Sequence, residues 1–324
     1  MPIRPAHSSE KHVQLLAAAT LSLPLIVLQG CSSLQHRQLA SGMSGLPPVY
    51  ELEATPFYPQ EIHHCGPAAL ATVLETAGRK TDVDELTRLV YLPGREGSLA
   101  VEMAAAVRRL GYLPYPVPPE LVALFDEIAH GHPVVVLQNL GLSWLPRWHY
   151  AVAIGYDLAR DEITLRSGTH RSVLTNIATF ERTWRRGDYW ALLVLPPGEM
   201  PARADAARYL QAAAGLERSN REAARRSYQA AVERWPENLM AWMALGNGAY
   251  AGGDRDTAAA AYRRALSIDD AYAPAYNNLA QTLADRKQWS EAEAMSRRAL
   301  EIGGAYIEDY QATLDGILRN KPPD

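Results

Sequence analysis

Phe57-Tyr-Pro-Gln-Glu-Ile-His-His-Cys-Gly-Pro-Ala-Ala-Leu-Ala-Thr-Val-Leu74 decides how this chain is read. Pro56 and Pro59 favour extended backbone before a turn. Pro67 suits a first helical turn, where its missing N–H costs no hydrogen bond. Ala68, Ala69, Leu70, Ala71, Val73 and Leu74 then form an apolar, mostly helix-favouring run. Cys65 therefore falls just before or at a helix N-terminus. The positive end of the helix dipole favours a thiolate there, so a thiol that titrates near ~8.5 in water is expected to ionise more readily. Gln60 precedes it closely and can bring an amide N–H to the place where an oxyanion would form. A buried structural cysteine with a surface glutamine is the competing interpretation, and the deciding residue lies further along the chain.

At 324 residues the chain has room for about two domains of ~150 residues. Apolar residues make up 48 % and the formal net charge is −4. No basic stripe with interleaved aromatics is present, which argues against a nucleic-acid partner. Residues 1–31 read as a targeting segment. Arg4, Lys11 and His12 form a weakly basic head, and Val13 to Leu28 is an apolar run broken by Pro24 and short for a bilayer span. The run ends in Leu28-Gln-Gly-Cys31, which resembles a bacterial lipoprotein signal, although Gln29 is less usual at its position. The resemblance implies a lipid on Cys31, a membrane anchor and, with Ser32 next, the periplasmic face of the outer membrane. An ordinary signal peptide or a single membrane anchor are the rival readings. The chain has two cysteines, and an exported protein would often pair them. Lipid on Cys31 would leave Cys65 a free thiol in an oxidising compartment, where it is a hazard unless it has work to do.

Residues 32–48 read as a tether and residues 49–197 as an α+β domain, helices first and an antiparallel sheet after. The pattern predicts helices over 81–90 with Thr81 as N-cap, over 99–110 with Ser98 as cap, over 121–129 and over 180–186. It predicts strands over 133–138, 148–156, 162–166 and 189–195. Pro196-Pro-Gly198 marks a boundary, and residues 203–318 read as all-helical. Trp242, Leu245, Gly246, Ala258, Ala265 and Leu266 recur thirty-four positions later as Tyr276, Leu279, Ala280, Ala292, Ala299 and Leu300. Ala224, Tyr228, Ala231 and Val232 form a degenerate earlier copy. This resembles a tetratricopeptide array of about three helix pairs, which stacks into a solenoid with a concave face for a protein partner. An inert helical spacer is the alternative. Residues 306–318 read as a capping helix, and Lys321 to Asp324 are expected to fray.

A thiol nucleophile needs a base within reach, and the base needs an orienting group. Of nine histidines, His149 stands at the mouth of an otherwise apolar strand, a rigid place for a base. His63 and His64 adjoin Cys65 but need not face it. Gln60, Cys65-Gly-Pro-Ala at a helix start and His149-Tyr-Ala-Val-Ala-Ile-Gly-Tyr-Asp opening a strand together resemble the papain-like cysteine peptidases that remove bacteriocin leader peptides at double-glycine sites. The resemblance spans roughly residues 53–195. It implies a papain-like fold with Cys65 as nucleophile, His149 as base and Gln60 as oxyanion donor. In that family an Asp on the next strand orients the His; here Ser167 falls in its place, so the role rests with Ser167 or passes to Asp157, Asp161 or Asn139.

No cofactor is implied. His63-His64 is the one weak hint of metal-ligand spacing, and no metal is expected. Trp144, Trp148, Trp184 and Trp190 are candidates for a cleft lining or for the core. The expected activity is hydrolysis of peptide bonds in a peptide or protein substrate. The alternatives are a catalytically weak binding lipoprotein on a peptidase fold and a peptidoglycan amidase.

Overall fold

A computed structural model describes residues 35–36, 39, 45–59 and 65–323. Gln60, His63, His64 and Cys31 lie outside the described residues.

The elements follow the hydrophobic pattern. α1 (Cys65–Thr76) is buried from Gly66 to Leu74, as an apolar, Ala-rich helix must be when a sheet covers it. α2 (Val83–Val90) and α3 (Ala100–Arg109) pack beside it. The short strands β2 (Tyr91–Leu92) and β3 (Gly97–Ser98) form a hairpin between those two helices. The remaining strands are β1 (Val49–Glu51), β4 (Leu113–Pro116), β5 (Val134–Asn139), β6 (Trp148–Asp157), β7 (Glu162–Ser167), β8 (His170–Asn176) and β9 (Ala191–Leu195). They form one antiparallel sheet in the order β4-β9-β5-β6-β7-β8, with β1 added to the C-terminal end of β6.

Alternation along the strands builds two cores. Val135, Tyr150, Val152, Ile154, Leu192 and Val194 meet Leu70, Leu74, Leu86, Met103 and Val107 on one face. Val134, Val136, Ala151, Ala153, Ile163 and Leu193 meet α4 (Leu121–Ala129) and α5 (Ile177–Arg185) on the other, through Phe125, Ile128, Phe180 and Trp184.

Two expected caps are corrected. Asp82, not Thr81, caps α2, its carboxylate accepting from Asp84 N–H at 2.9 Å. The Thr81 hydroxyl instead donates to the Ala71 carbonyl. Ser98 is not a cap: it pairs with Tyr91 in the β2–β3 hairpin, and α3 starts after Leu99 with no side-chain cap. Residues 170–176, to which the sequence pattern assigns no element, form β8. Only Val173 and Thr175 of that strand are even half-buried, so no apolar alternation betrayed it.

Residues 206–320 form seven helices: α6 (Ala206–Ala214), α7 (Arg221–Arg234), α8 (Leu239–Ala251), α9 (Arg255–Ile268), α10 (Ala273–Asp285), α11 (Trp289–Ile302) and α12 (Ile307–Asn320). The thirty-four-residue period reappears in the caps. Asn220 and Asp254, one period apart, each accept from the backbone N–H three residues on, at 2.9 and 3.0 Å. Small residues sit where helices meet. A Cβ on Gly246 would lie 2.5 Å from the Tyr262 ring. Lys321 does not fray: its ammonium pairs with Glu293 at 3.2 Å.

The helices are not a separate bead. Tyr209, Ala212, Ala213 and Leu216 are buried in the same core as Leu113 and Tyr115 of the edge strand β4. The connection between the two parts is pinned by the buried Glu127 carboxylate, which accepts from Ala202 N–H at 3.1 Å and Arg203 N–H at 3.5 Å. His132 bridges Glu127 and Glu199 at 2.9 and 3.2 Å. Among the described residues no helix is long and apolar enough to cross a membrane.

Candidate active site

Cys65 is the first residue of α1, a free and half-buried thiol. Cys65 packs against the core that holds Tyr150, and backbone groups of Tyr150, Gly66 and Cys65 itself lie close enough to its sulfur to pull its pKa down. The sulfur therefore sits over the first turn of α1 and against the start of β6. Gly66 lets the start of α1 pack closely on β3: a Cβ there would lie 2.4 Å from Ser98 Oγ and 2.7 Å from Ser98 Cβ. Tyr150 fixes the same corner, its hydroxyl donating to the Ser98 carbonyl at 3.2 Å and its ring meeting Trp190 edge-on at 5.6 Å.

The thiol departs from expectation. Burial pushes the Cys65 pKa up and outweighs the backbone groups that pull it down. The helix end supplies donors, as the sequence implied, but the sheet laid over it removes the water a thiolate would need.

His149 is the second residue of β6, next to Tyr150, and half-buried. Its Nε2 lies 2.8 Å from Ser167 Oγ on β7. Burial, and then the positive charge of Arg147, push its pKa down. Among the described residues no hydrogen bond joins the sulfur to the ring. Thiol and imidazole thus both favour their neutral forms.

The other orienting candidates are occupied elsewhere. Asp157 accepts from Ala159 and Arg160 N–H in the β6–β7 turn. Asp161 holds His36 and Asn176 at that same end of the sheet. Asn139 is buried beside β6, but its Oδ1 accepts from Gly141 and Arg147 N–H, both at 2.9 Å.

Arg166 was not foreseen. Its buried guanidinium donates to the carbonyls of Glu53, Thr55 and Arg171, fastening the segment that leads toward Gln60 to the strand carrying Ser167. A lone Arg in a strand gives no sign of such a role in sequence. The four tryptophans divide. Trp184 is core, Trp190 packs on Tyr150, and Trp144 and Trp148 are exposed on the β5–β6 connection and at the first residue of β6. Among the described residues no cluster of His, Cys, Asp and Glu could hold a metal ion.

Residues 52–189 match the Peptidase_C39 like family. No curated protein matches the chain. Among solved structures, the Yersinia enterocolitica type III secretion chaperone SycD in complex with a peptide of the translocator YopD is 20 % identical. The match covers 36 % of this chain and 94 % of that one, with a TM-score of 0.34. The TPR2B domain of yeast Sti1, in complex with pHsp70, is 15 % identical, covers 35 % and 94 % respectively, and has a TM-score of 0.33.

Proposed function

We propose that the chain is a thiol-dependent amide hydrolase, a cysteine peptidase with a fixed helical array for a protein partner or substrate. One observation carries this reading: Cys65 opens a helix and packs in the core with Tyr150, the residue next to His149, whose ring Nε2 lies 2.8 Å from Ser167 Oγ. The family match over residues 52–189 supports the peptidase-type fold.

With Nε2 bonded to Ser167, the ring nitrogen left to take a proton is Nδ1. A Nε2–H donating to the Ser167 hydroxyl oxygen fixes that tautomer. As Cys65 attacks an amide carbonyl, the S–C bond forms and the thiol proton passes to Nδ1. The same proton then goes to the leaving amine as the C–N bond breaks, and water hydrolyses the acyl-enzyme. The Cys65 backbone N–H and, from the sequence, the Gln60 amide stabilise the oxyanion. Proton and sulfur move together at attack, because neither group is charged at rest.

A peptidyl chloromethyl ketone, with the Cys65 adduct counted by mass spectrometry, tests this. His149→Ala is expected to slow adduct formation by about 10²-fold or more, and Cys65→Ala to abolish it. Equal rates in wild type and His149→Ala would refute the reading.

A second reading, a peptidase fold kept for binding, is favoured by the serine at the orienting position and the raised thiol. It requires that no adduct form. Digestion of purified sacculi distinguishes an amidase acting on peptidoglycan from a peptidase. Lipid on Cys31 and placement at the periplasmic face of the outer membrane belong to the same proposal. They predict that Cys31→Ser moves the chain from the membrane to the soluble fraction.

A further inference from the structure

The β5–β6 connection holds apolar side chains out in water. Leu140 is 47 % exposed, Leu142 53 %, Trp144 78 %, Leu145 60 % and Trp148 56 %. This is not a slack loop. Leu142 and Leu145 exchange both backbone hydrogen bonds at 3.1 Å, and Leu140 N–H donates to the Arg147 carbonyl at 2.9 Å, so the hairpin continues past its strands. Asn139 Oδ1 ties down both sides at Gly141 and Arg147. The Arg186 guanidinium donates twice to the Asn139 carbonyl, at 3.1 and 2.8 Å. Gly141 leaves no room for a side chain: a Cβ would lie 2.4 Å from the Leu145 carbonyl oxygen.

A cluster of this kind on a rigid frame marks a contact surface. Pre-ordered Trp and Leu side chains bind without a further ordering cost, and Trp is favoured at the centre of such contacts. The hairpin runs directly into Trp148 and His149.

We propose that the hairpin of residues 140–148 is the substrate-recognition element of the site, receiving a bulky apolar side chain of an unfolded peptide beside the scissile amide. This rests on the peptidase reading above. A peptide is favoured over a lipid surface by where the chain arrives. The Gln35 amide donates to the Pro119 carbonyl and its oxygen accepts from Leu121 N–H. His36 meets Asp161 at 2.5 Å, and Leu39 is buried in the core. Asp161 lies just past the C-terminal end of β6, and the hairpin lies at its N-terminal end. Ten residues of strand at ~3.3 Å each separate the two ends by roughly 30 Å. A bilayer gripped by residues before Gln35 would therefore lie at the far end of the sheet from the hairpin.

The test uses the full-length chain carrying Cys31→Ser and Cys65→Ala, which neither anchors nor turns over. Fluorescence anisotropy compares a fluorescein-labelled dodecapeptide rich in Leu and Phe with a matched Ser/Gln peptide. The apolar peptide is expected to bind more tightly. Trp144→Ser with Leu145→Ser is expected to weaken it by about tenfold or more without moving Tm, both side chains being exposed. Unchanged binding in the double variant, or no preference for the apolar peptide, overturns the proposal. So does loss of flotation with phosphatidylethanolamine–phosphatidylglycerol vesicles while peptide binding is unaltered, which would make the occupant a lipid. Failure of the peptidase reading appears separately, as a missing Cys65 adduct in wild type with peptide binding intact.

Discussion

Ser167→Asp is the most informative single change at the site. In the wild type the ring's partner is a neutral hydroxyl at 2.8 Å, and burial followed by Arg147 holds the imidazole below its ordinary range. A carboxylate at the same distance meets an imidazolium. Two unit charges ~4 Å apart attract by about 4 kcal/mol at an effective dielectric constant of ~20. Desolvating the new carboxylate takes back roughly half of that. About 2 kcal/mol remains, which is about 1.5 pH units. The His149 midpoint, followed by the NMR signal of its ring C–H, should rise by about 1–2 units. Iodoacetamide labelling of Cys65 gives a second readout. In wild type the thiol is raised and the imidazole lowered, so between the two both groups are neutral. Labelling should then climb only on the alkaline side of the ordinary ~8.5. In Ser167→Asp a thiolate–imidazolium pair gains stability, and labelling near pH 7 should rise on the order of tenfold. An unmoved His149 midpoint in Ser167→Asp would refute the reasoning, and so would a wild-type profile already flat and fast at pH 6.

Gly66→Ala forces a Cβ to within 2.4 Å of Ser98 Oγ and 3.2 Å of Met103 Sδ. Denaturant unfolding should show a loss of about 1–3 kcal/mol, and a loss under 0.5 kcal/mol would mean the β2–β3 hairpin moves aside freely. Glu127→Ala removes the acceptor shared by Ala202 N–H, Arg203 N–H and His132. It should cost about 3 kcal/mol and separate the unfolding of the sheet from that of the helices in calorimetry; a single unshifted transition would contradict the clamp. His132 also sets a pH window. Burial works against its charge, but the hydrogen bonds and charges of Glu127 and then Glu199 outweigh it and raise its pKa. That stabilisation is full below the unfolded value near ~6.5 and is lost as pH rises through the raised folded value. The Tm gap between wild type and His132→Ala should therefore be widest near pH 5.5 and shrink toward pH 8.5.

What the sequence discloses follows how local each signal is. β5, β6 and β9 are short apolar runs such as Val134-Val-Val-Leu137, whose length and β-branched residues favour a buried strand, and the thirty-four-residue period is a pattern within the chain itself. β1 cannot be seen this way. Its three residues are exposed or half-buried, and they form a strand because Gly155 on β6 has no Cβ, which would lie 2.9 Å from the Tyr50 carbonyl oxygen. The cap at Asp82 was missed by one residue because Thr81 and Asp82 are both good caps, and the Ala71 carbonyl, brought in by the fold, claims the threonine. At the site, residue type and position single out Cys65 and His149, and only the family resemblance points to Ser167. The direction of the thiol's titration lies beyond that reach. A helix dipole is written in local sequence, whereas burial of the thiol exists only once the sheet closes over α1.

That difference bears on how such a site would work. Oxidants and small alkylating agents act on thiolates, so a thiol held neutral by burial is spared while no substrate is bound. Burial keeps the thiol raised, burial and then Arg147 keep the imidazole lowered, and the Ser167 hydroxyl beside the ring carries no charge that would undo this. Attack then depends on a bound carbonyl positioned for it, with the proton leaving sulfur as the S–C bond forms. Turnover should accordingly follow how firmly a substrate is seated against the rigid hairpin beside His149, and bare thiol reactivity should be a poor guide to it. In a kinetic comparison across hairpin variants, weakened seating would appear in kcat/KM for peptides while the iodoacetamide rate stays fixed. If the two fall together across the variants, the neutral resting pair is the wrong description.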